Sequence, residues 1–256
     1  MTTSSSAVPM GQRLHFFRSI DSTNTQAHEL AQKGEPEGTV VIADTQTRGR
    51  GRLERTWQSP PGRNLYLSII LRPHLSAVEA PQLTLMAGIA VAETLETYVP
   101  GQVAVKWPND VLLGKRKICG ILTEMTATPR GVDFVVVGVG INVNMVREDF
   151  DPTLRETATS LCMETGQTMD RLSVAGRLFE SMETWYRAFQ RDGFPAIRDS
   201  FLRYSRIVGQ GIRVVFREES QTGIVEDIDG DGAILMRDTA GTVHRITAGD
   251  VHLLKG

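Results

Sequence analysis

Cysteine is scarce: Cys119 and Cys162 are the only two in 256 residues. That is too few for a disulfide framework or a cysteine-rich zinc cluster, and their expected state is reduced, as in a cytoplasmic protein. The five histidines, at 15, 28, 74, 244 and 252, have neither HExxH nor paired-cysteine spacing. A zinc hydrolase is therefore disfavoured, and no metal ligand is assigned to protein side chains. Long apolar runs are missing as well. Even 134–143 is interrupted by Gly138, Gly140 and Asn142, short of the ~18 residues a spanning helix needs, so no membrane partner is expected.

Net charge is nearly absent, with 28 basic against 30 acidic side chains and a formal charge of -2. No chain-wide field draws the protein to nucleic acid or an anionic membrane, so any anion site is local. Residues 1–12, MTTSSSAVPMGQ, lack both the charged and the apolar region of a signal peptide and are expected to form a disordered tail. So short a stretch also leaves no room for an N-terminal helix-turn-helix, so no DNA partner is expected.

What is present is 41% hydrophobic and 23% charged, enough for one large core or two smaller ones. The pattern predicts a strand over 13–20 and a short helix over 21–34 ending at Gly34. A buried strand is expected over 39–44 and another over 64–73, with a core helix over 78–98 between apolar positions such as Leu83, Met86 and Ala90. VAVKW, VLLG, KICGILTEM and DFVVVGVGINV read as further strands, with a hairpin turn at Gly114 and Lys115. Amphipathic helices follow near 170–191 and 194–205, the first with Leu172, Leu178, Phe179, Met182, Trp185, Tyr186 and Phe189 on one face. A strand-rich middle flanked by helices favours an α+β domain over 13–206. From 207 to 256 the texture changes to short strands separated by turns, which suggests a small SH3-like barrel; the part from Gly209 onward has five basic and eight acidic residues.

Three stretches carry chemistry. The polar run 45–63 is long for a loop, and within it Arg48, Arg50, Arg52 and Arg55 alternate with Gly49 and Gly51. Arginine forks suit carboxylate and phosphate oxygens, and glycine lets backbone approach a ligand. The spacing alone fits a compact anion site or a solvated or RNA-binding basic loop, and Trp57 beyond it fits packing or stacking. Lys106-Trp107-Pro108-Asn109-Asp110 is followed by Lys117; if Val105–Trp107 and Lys117–Leu122 are neighbouring strands, two lysines and a carboxylate converge. Alone, this stretch also reads as a turn and an exposed strand charge. Gly138-Val139-Gly140-Ile141-Asn142 lacks the third glycine of a dinucleotide fingerprint and continues as a strand. Its glycines are expected to admit a flat ligand over a sheet, with Asn142 either bridging that ligand or structural.

Taken in order, DSTN, Gln46 before GRGR, KWPND, KICGIL and GxGINxN resemble the catalytic core of biotin protein ligases. The resemblance implies a mixed sheet with flanking helices, related to class II aminoacyl-tRNA synthetases, plus the small SH3-like barrel. It implies ATP-dependent ligation of biotin to a lysine of a biotin carboxyl carrier domain of an acyl-CoA carboxylase through biotinyl-5'-adenylate, with Mg2+ accompanying ATP, in a monomer or homodimer. Biotin contacts would fall on Ser22, Thr23, Asn24, Gln46, Arg50, Gly51, Arg52, Lys117 and Gly120. Nucleotide contacts would fall on Arg52, Arg55, Trp57, Lys106, Asn109 and Asn142. Lys117, Arg52 and Asp110 would be the catalytic groups. The family often has glycine where this chain has Glu54 and a small residue where it has Arg48. A lipoate or octanoate enzyme of the same fold, and a biotin-sensing repressor or binding protein, are the competing readings.

Overall fold

The computed structural model describes residues 8–129, 131–216 and 219–254; residues 1–7, most of the expected tail, lie outside them. The rest of that tail is tied to the body, with the Val8 amide donating to the Glu37 carbonyl at 3.1 Å and the Met10 amide to Glu183 Oε2 at 2.9 Å.

A strand, β1 (Leu14–Ile20), leads through helix α1 (Thr23–Gln32) into β2 (Val40–Gln46). The strands β3 (Leu65–Leu71), β4 (Val103–Lys106), β5 (Asp110–Leu113), β6 (Arg116–Thr128) and β7 (Gly131–Ile141) follow, with helix α2 (Gln82–Glu96) between β3 and β4. They form one seven-stranded sheet in the order β1-β2-β3-β7-β6-β5-β4. Among the described strands of this sheet, β1 and β2 are the pair that runs parallel, as a helical crossover between them requires. All seven residues of β3 are buried, because both faces of the sheet are covered there.

On one face lies α1, whose Ala27 and Ala31 pack with Val41, Ile70, Phe134 and Val136. The other face carries α2, most of whose residues are buried because it is sandwiched between the sheet and two later helices. After a short helix, α3 (Leu161–Thr165), come α4 (Arg171–Asp192) and α5 (Pro195–Ser205). Asp170 caps α4 by accepting from the amides of Leu172 and Ser173, and the Ser173 hydroxyl adds a third bond that helps hold its carboxyl below the usual range. The buried stripe of α4 runs through Val174, Leu178, Met182, Tyr186 and Phe189. Leu172, expected on that face, is 77% exposed, because at 100° per residue it falls off the stripe.

The last strands, β8 (Gly211–Phe216), β9 (Glu219–Ile228), β10 (Ile234–Arg237), β11 (Val243–Ile246) and β12 (Asp250–Leu253), form a second, antiparallel sheet in the order β11-β10-β9-β8-β12. Hydrogen bonds from α5 and from the end of β4 help fasten this SH3-like unit to the main body. Arg198 on α5 donates to both carboxylate oxygens of Asp227, at 2.5 and 2.7 Å, and to the Ile228 carbonyl at 2.9 Å. The buried indole of Trp107, immediately after β4, donates to the Gly232 carbonyl at 3.1 Å. Gly232 has φ +84, and a Cβ there would lie 2.5 Å from Leu85, so this turn sits close against α2.

Trp107→Phe keeps most of the packing but leaves that carbonyl without its donor. The expected cost is about 1–3 kcal/mol, read as a lower urea midpoint. An unchanged midpoint would show that the indole bond contributes nothing to docking of the barrel.

Candidate functional site

Strand register collects the motif residues. Lys106 on β4 pairs with Asp110 on β5, Asp110 with Gly120 on β6, Gly120 with Gly140 on β7, and Gly140 with Tyr66 on β3. Residues directly opposite one another share a face, so this row crosses five strands on one side of the sheet. The expectation that the strands of KWPND and KICGIL are neighbours is corrected: β5 lies between them, and the lysines converge across a three-stranded meander.

Lys117 would face away from Gly120 in a regular strand, three residues being an odd number of steps. The register shifts between Val111↔Cys119 and Leu112↔Lys117, which makes Ile118 an extra residue on β6. This β-bulge turns Lys117 to the side of Gly120, where Lys117 Nζ reaches Asp110 Oδ1 at 2.6 Å and lies 5.5 Å from the centroid of the Trp57 ring. Neighbouring Cys119 points into the core, and burial pushes its thiol up.

The arginine stretch is a small hairpin. Arg50 bridges Thr56, the Gly51 amide donates to the Arg55 carbonyl at 2.7 Å, and the Trp57 amide to the Gly49 carbonyl at 2.9 Å. Its tip, Leu53 and Glu54, is left-handed, with φ of 53 and 57. Glu54 thus occupies a conformation that favours glycine. The side chains are pinned from several elements. Arg48 meets Asp21 at 3.2 Å, Arg50 meets Glu124 at 2.6 Å, and Arg52 donates to Asn109 Oδ1 at 2.9 Å. Asp250, on β12, pairs with Arg55 at 2.5 Å and lies 3.7 Å from Arg52.

Above the sheet the glycines are filled by the protein itself. A Cβ on Gly140 would lie 2.6 Å from the Trp57 indole and one on Gly120 2.8 Å from it, while one on Gly138 would meet Asn24 Oδ1 at 2.1 Å. The flat group expected over the glycines is thus an indole, with Asn24 beside it. Trp57 Nε1 is buried without a hydrogen-bond partner among the described residues.

A cavity of about 360 Å³ opens between this platform and the hairpin. Every site residue expected from sequence lines it: Ser22, Thr23, Asn24, Gln46, Arg50, Gly51, Arg52, Arg55, Trp57, Lys106, Asn109, Asp110, Lys117, Gly120 and Asn142. One end is polar and buried. There the Thr23 amide and hydroxyl lie 2.9 and 3.1 Å from Gln46 Oε1, and the Ser68 hydroxyl lies 2.8 Å from Thr23 Oγ1 and 2.6 Å from Asn24 Oδ1. Asn142 belongs to the wall, but its side chain is committed to the Thr159 carbonyl at 3.0 Å and to Asn64 at 3.3 Å, which favours the structural alternative. Asn109 likewise holds Arg52 and the Ile121 carbonyl.

Sequence reasoning missed Tyr66, the apolar wall of Met145, Phe150, Leu154 and Ala158, and Asp250. It also missed Glu124, although Gly120, Leu122 and Glu124 alternate onto one face of β6, a signal present in the sequence.

A mixed sheet with a polar, cation-lined cavity and an appended small barrel is the architecture of a ligase class that the comparisons identify. Residues 16–142 match the biotin/lipoate A/B protein ligase family, and residues 207–254 match the biotin protein ligase C-terminal domain. The chain is 39% identical over 244 residues to the bifunctional ligase/repressor BirA of Bacillus spizizenii, covering 95% of this chain and 75% of that protein. It is 35% identical over 247 residues to the biotin--[acetyl-CoA-carboxylase] ligase of Mycobacterium tuberculosis, covering 94% and 88%. The biotin protein ligase of Aquifex aeolicus, solved with biotin and ATP, superposes with a TM-score of 0.81 at 29% identity, covering 96% of this chain and all of that one. The protein belongs to the biotin/lipoate protein ligase family.

Gly140→Ala places a methyl group inside the indole, so Trp57 must leave its platform. Tryptophan emission is expected to shift to the red while the unfolding midpoint changes by no more than about 1 kcal/mol. Gly176→Ala, on an open face of α4 with nothing within 4 Å, is the control and is expected to gain about 0.5–1 kcal/mol without a spectral change.

Proposed function

We propose that this protein joins biotin to ATP in the cavity, forming biotinyl-5'-adenylate, and then passes the biotinyl group to a lysine of a biotin carboxyl carrier domain. The observation that carries the choice of biotin is the polar end formed by buried Ser22, Thr23 and Asn24 with half-buried Gln46. A cyclic urea presents donors and a carbonyl acceptor that can join this hydrogen-bonded lining, whereas a dithiolane offers it neither. The match to the biotin protein ligase C-terminal domain supports the same choice.

In the first step the biotin carboxylate oxygen attacks the α-phosphorus of ATP, a P–O bond forms, and pyrophosphate leaves with the electron pair of the broken bond. Arg50, Arg52 and Lys117 are assigned to the carboxylate and phosphoryl oxygens, whose charge they stabilise as it develops. Arg55, Lys106, Asn109 and Trp57 are assigned to the nucleotide side, with Asn109 acting through Arg52 and Asn142 contributing wall rather than contacts. Magnesium would accompany the phosphates, where it neutralises oxygen charge. The nearest carboxylates, Asp110 and Asp250, are already paired with cations, so no protein ligand is assigned to it.

In the second step a neutral carrier amine attacks the acyl carbon, the C–O bond to AMP breaks, and one proton is lost from the nitrogen. Asp110 is assigned to this step as the orienting group or base. Its contact with Lys117 must open for it to take a proton, so its first role is to hold Lys117 over the reacting oxygens. The carrier of an acetyl-CoA carboxylase is the partner that the relatives' names support. The described residues contain no helix long and apolar enough to cross a membrane.

The test is incubation with Mg-ATP, biotin and a carrier domain, followed by the carrier's mass. A gain of one biotinyl group is expected, and turnover with lipoate alone would overturn the reading. Lys117→Ala is expected to fold normally and to lose at least about tenfold in single-turnover adenylation, equivalent to ~1.4 kcal/mol. An unchanged rate would remove Lys117 from the reaction.

A further inference from the structure

Glu124 sits just behind the cavity and holds one residue from each of its two sides. Its Oε1 accepts from Arg50 Nη2 at 2.6 Å, and its Oε2 accepts from Asn24 Nδ2 at 2.8 Å. Arg50 belongs to the arginine hairpin, whereas Asn24 opens α1 at the polar end and also meets Ser68 and the Leu122 carbonyl. The carboxylate itself is carried by β6, two strand repeats beyond Gly120 on the same face, so it is fixed to the sheet. One rigid group therefore links a ligand-binding asparagine to a loop whose other pins, Asp21, Asn109 and Asp250, come from different parts of the molecule.

We infer that Glu124 is a positioning residue that couples occupancy of the polar end to closure of the arginine hairpin. The inference rests on the proposed function, since biotin is taken as the occupant. Asn24 can turn toward a ligand only within the limits set by its bonds to Glu124 and Ser68. A ligand that fixes Asn24 also fixes the carboxylate, and a fixed carboxylate is a better acceptor for Arg50 because less side-chain freedom remains to be lost. Glu124→Gln separates the two halves of this linkage. The amide oxygen can still accept from Asn24, but its NH2 group cannot accept from Arg50, and the ion pair is gone.

The hairpin is a natural reporter, because trypsin cleaves after Arg48, Arg50, Arg52 and Arg55 when the loop opens. The full-length protein and its E124Q variant are treated with dilute trypsin, with and without biotin, and the cleavage sites are read by mass. E124Q is expected to be cut within 48–55 at least about fivefold faster without ligand, and biotin is expected to protect the wild-type hairpin but not the variant's. In steady state the KM for biotin is expected to rise at least about fivefold with the KM for ATP within about twofold. With Arg50→Gln already present, adding E124Q is expected to change hairpin cleavage by less than about twofold, since the pair acts as a unit.

Equal cleavage of wild type and E124Q would overturn the inference. So would faster cutting throughout the chain together with parallel rises in both KM values, which would mark Glu124 as merely structural. If biotin fails to protect the wild type while E124Q is still cut faster, the coupling falls together with biotin as the ligand. The Glu124–Arg50 link then stands by itself, so the two failures are distinguishable.

Discussion

Slipping β6 against β7 by one residue would pair Gly140 with Cys119 or Ile121, turn Gly120 into the core and close the platform on which Trp57 rests. Register in an antiparallel sheet is fixed by which face is apolar, and here the opposite face is specified strongly. Leu67, Ile69, Val137, Val139 and Ile121 are all buried beneath α2. The cavity is thus held open by hydrophobic packing on the far side of the sheet. Within that fixed register one irregularity shapes the cavity: the bulge at Ile118 brings Lys117 onto the side of Asp110 and Trp57, where an unbroken strand would bury it or aim it away.

The same geometry explains how so many cations share a small space. Arg48, Arg50, Arg52 and Arg55 each meet an anion or amide oxygen supplied by a different element. The more exposed of these pairs, such as Arg48 with Asp21, contribute only about 0.2–1 kcal/mol each. Their value lies in orientation, since a guanidinium held by one carboxylate keeps its remaining N–H groups aimed and available. With the hairpin closed, an anionic ligand in the cavity meets arginines whose forks are already aimed, as the proposed phosphoryl chemistry requires.

Much of this was legible in the sequence. The strands and helices followed from period and turn residues, and the motif residues proved to line one cavity because each sits at the cavity end of a patterned strand or in a loop joining two. What was not legible falls into three physical kinds. A bulge is invisible to period-two reasoning, so the relation of Lys117 to Gly120 could not be read from spacing. Contacts between elements far apart in sequence, such as Asp250 with Arg55, leave no local signal at either residue. The glycines gave a signal of close approach, but not whether the approaching group is a ligand or the protein's own indole. Glu124 is the exception: it stands outside every motif, yet alternation from Gly120 points to it.

The small C-terminal sheet looks like an appendage in sequence, acidic and separated by a change of texture. A unit of about fifty residues has a marginal core by itself and gains by burying one side on a neighbour. Here the buried side is the one that matters for the cavity. The turn at Gly232 receives the indole of Trp107, which lies between Lys106 and Asn109 in sequence, and β12 sends Asp250 into the cavity wall beside Arg52 and Arg55. The position of the KWPND stretch is therefore set from two directions, by its pairing within the large sheet and by its bond to the small one. Tilting the barrel would move Asp250 and Trp107 together, so the geometry of the cavity wall beside Arg52 and Arg55 depends on a domain interface as much as on the strands that carry the motif.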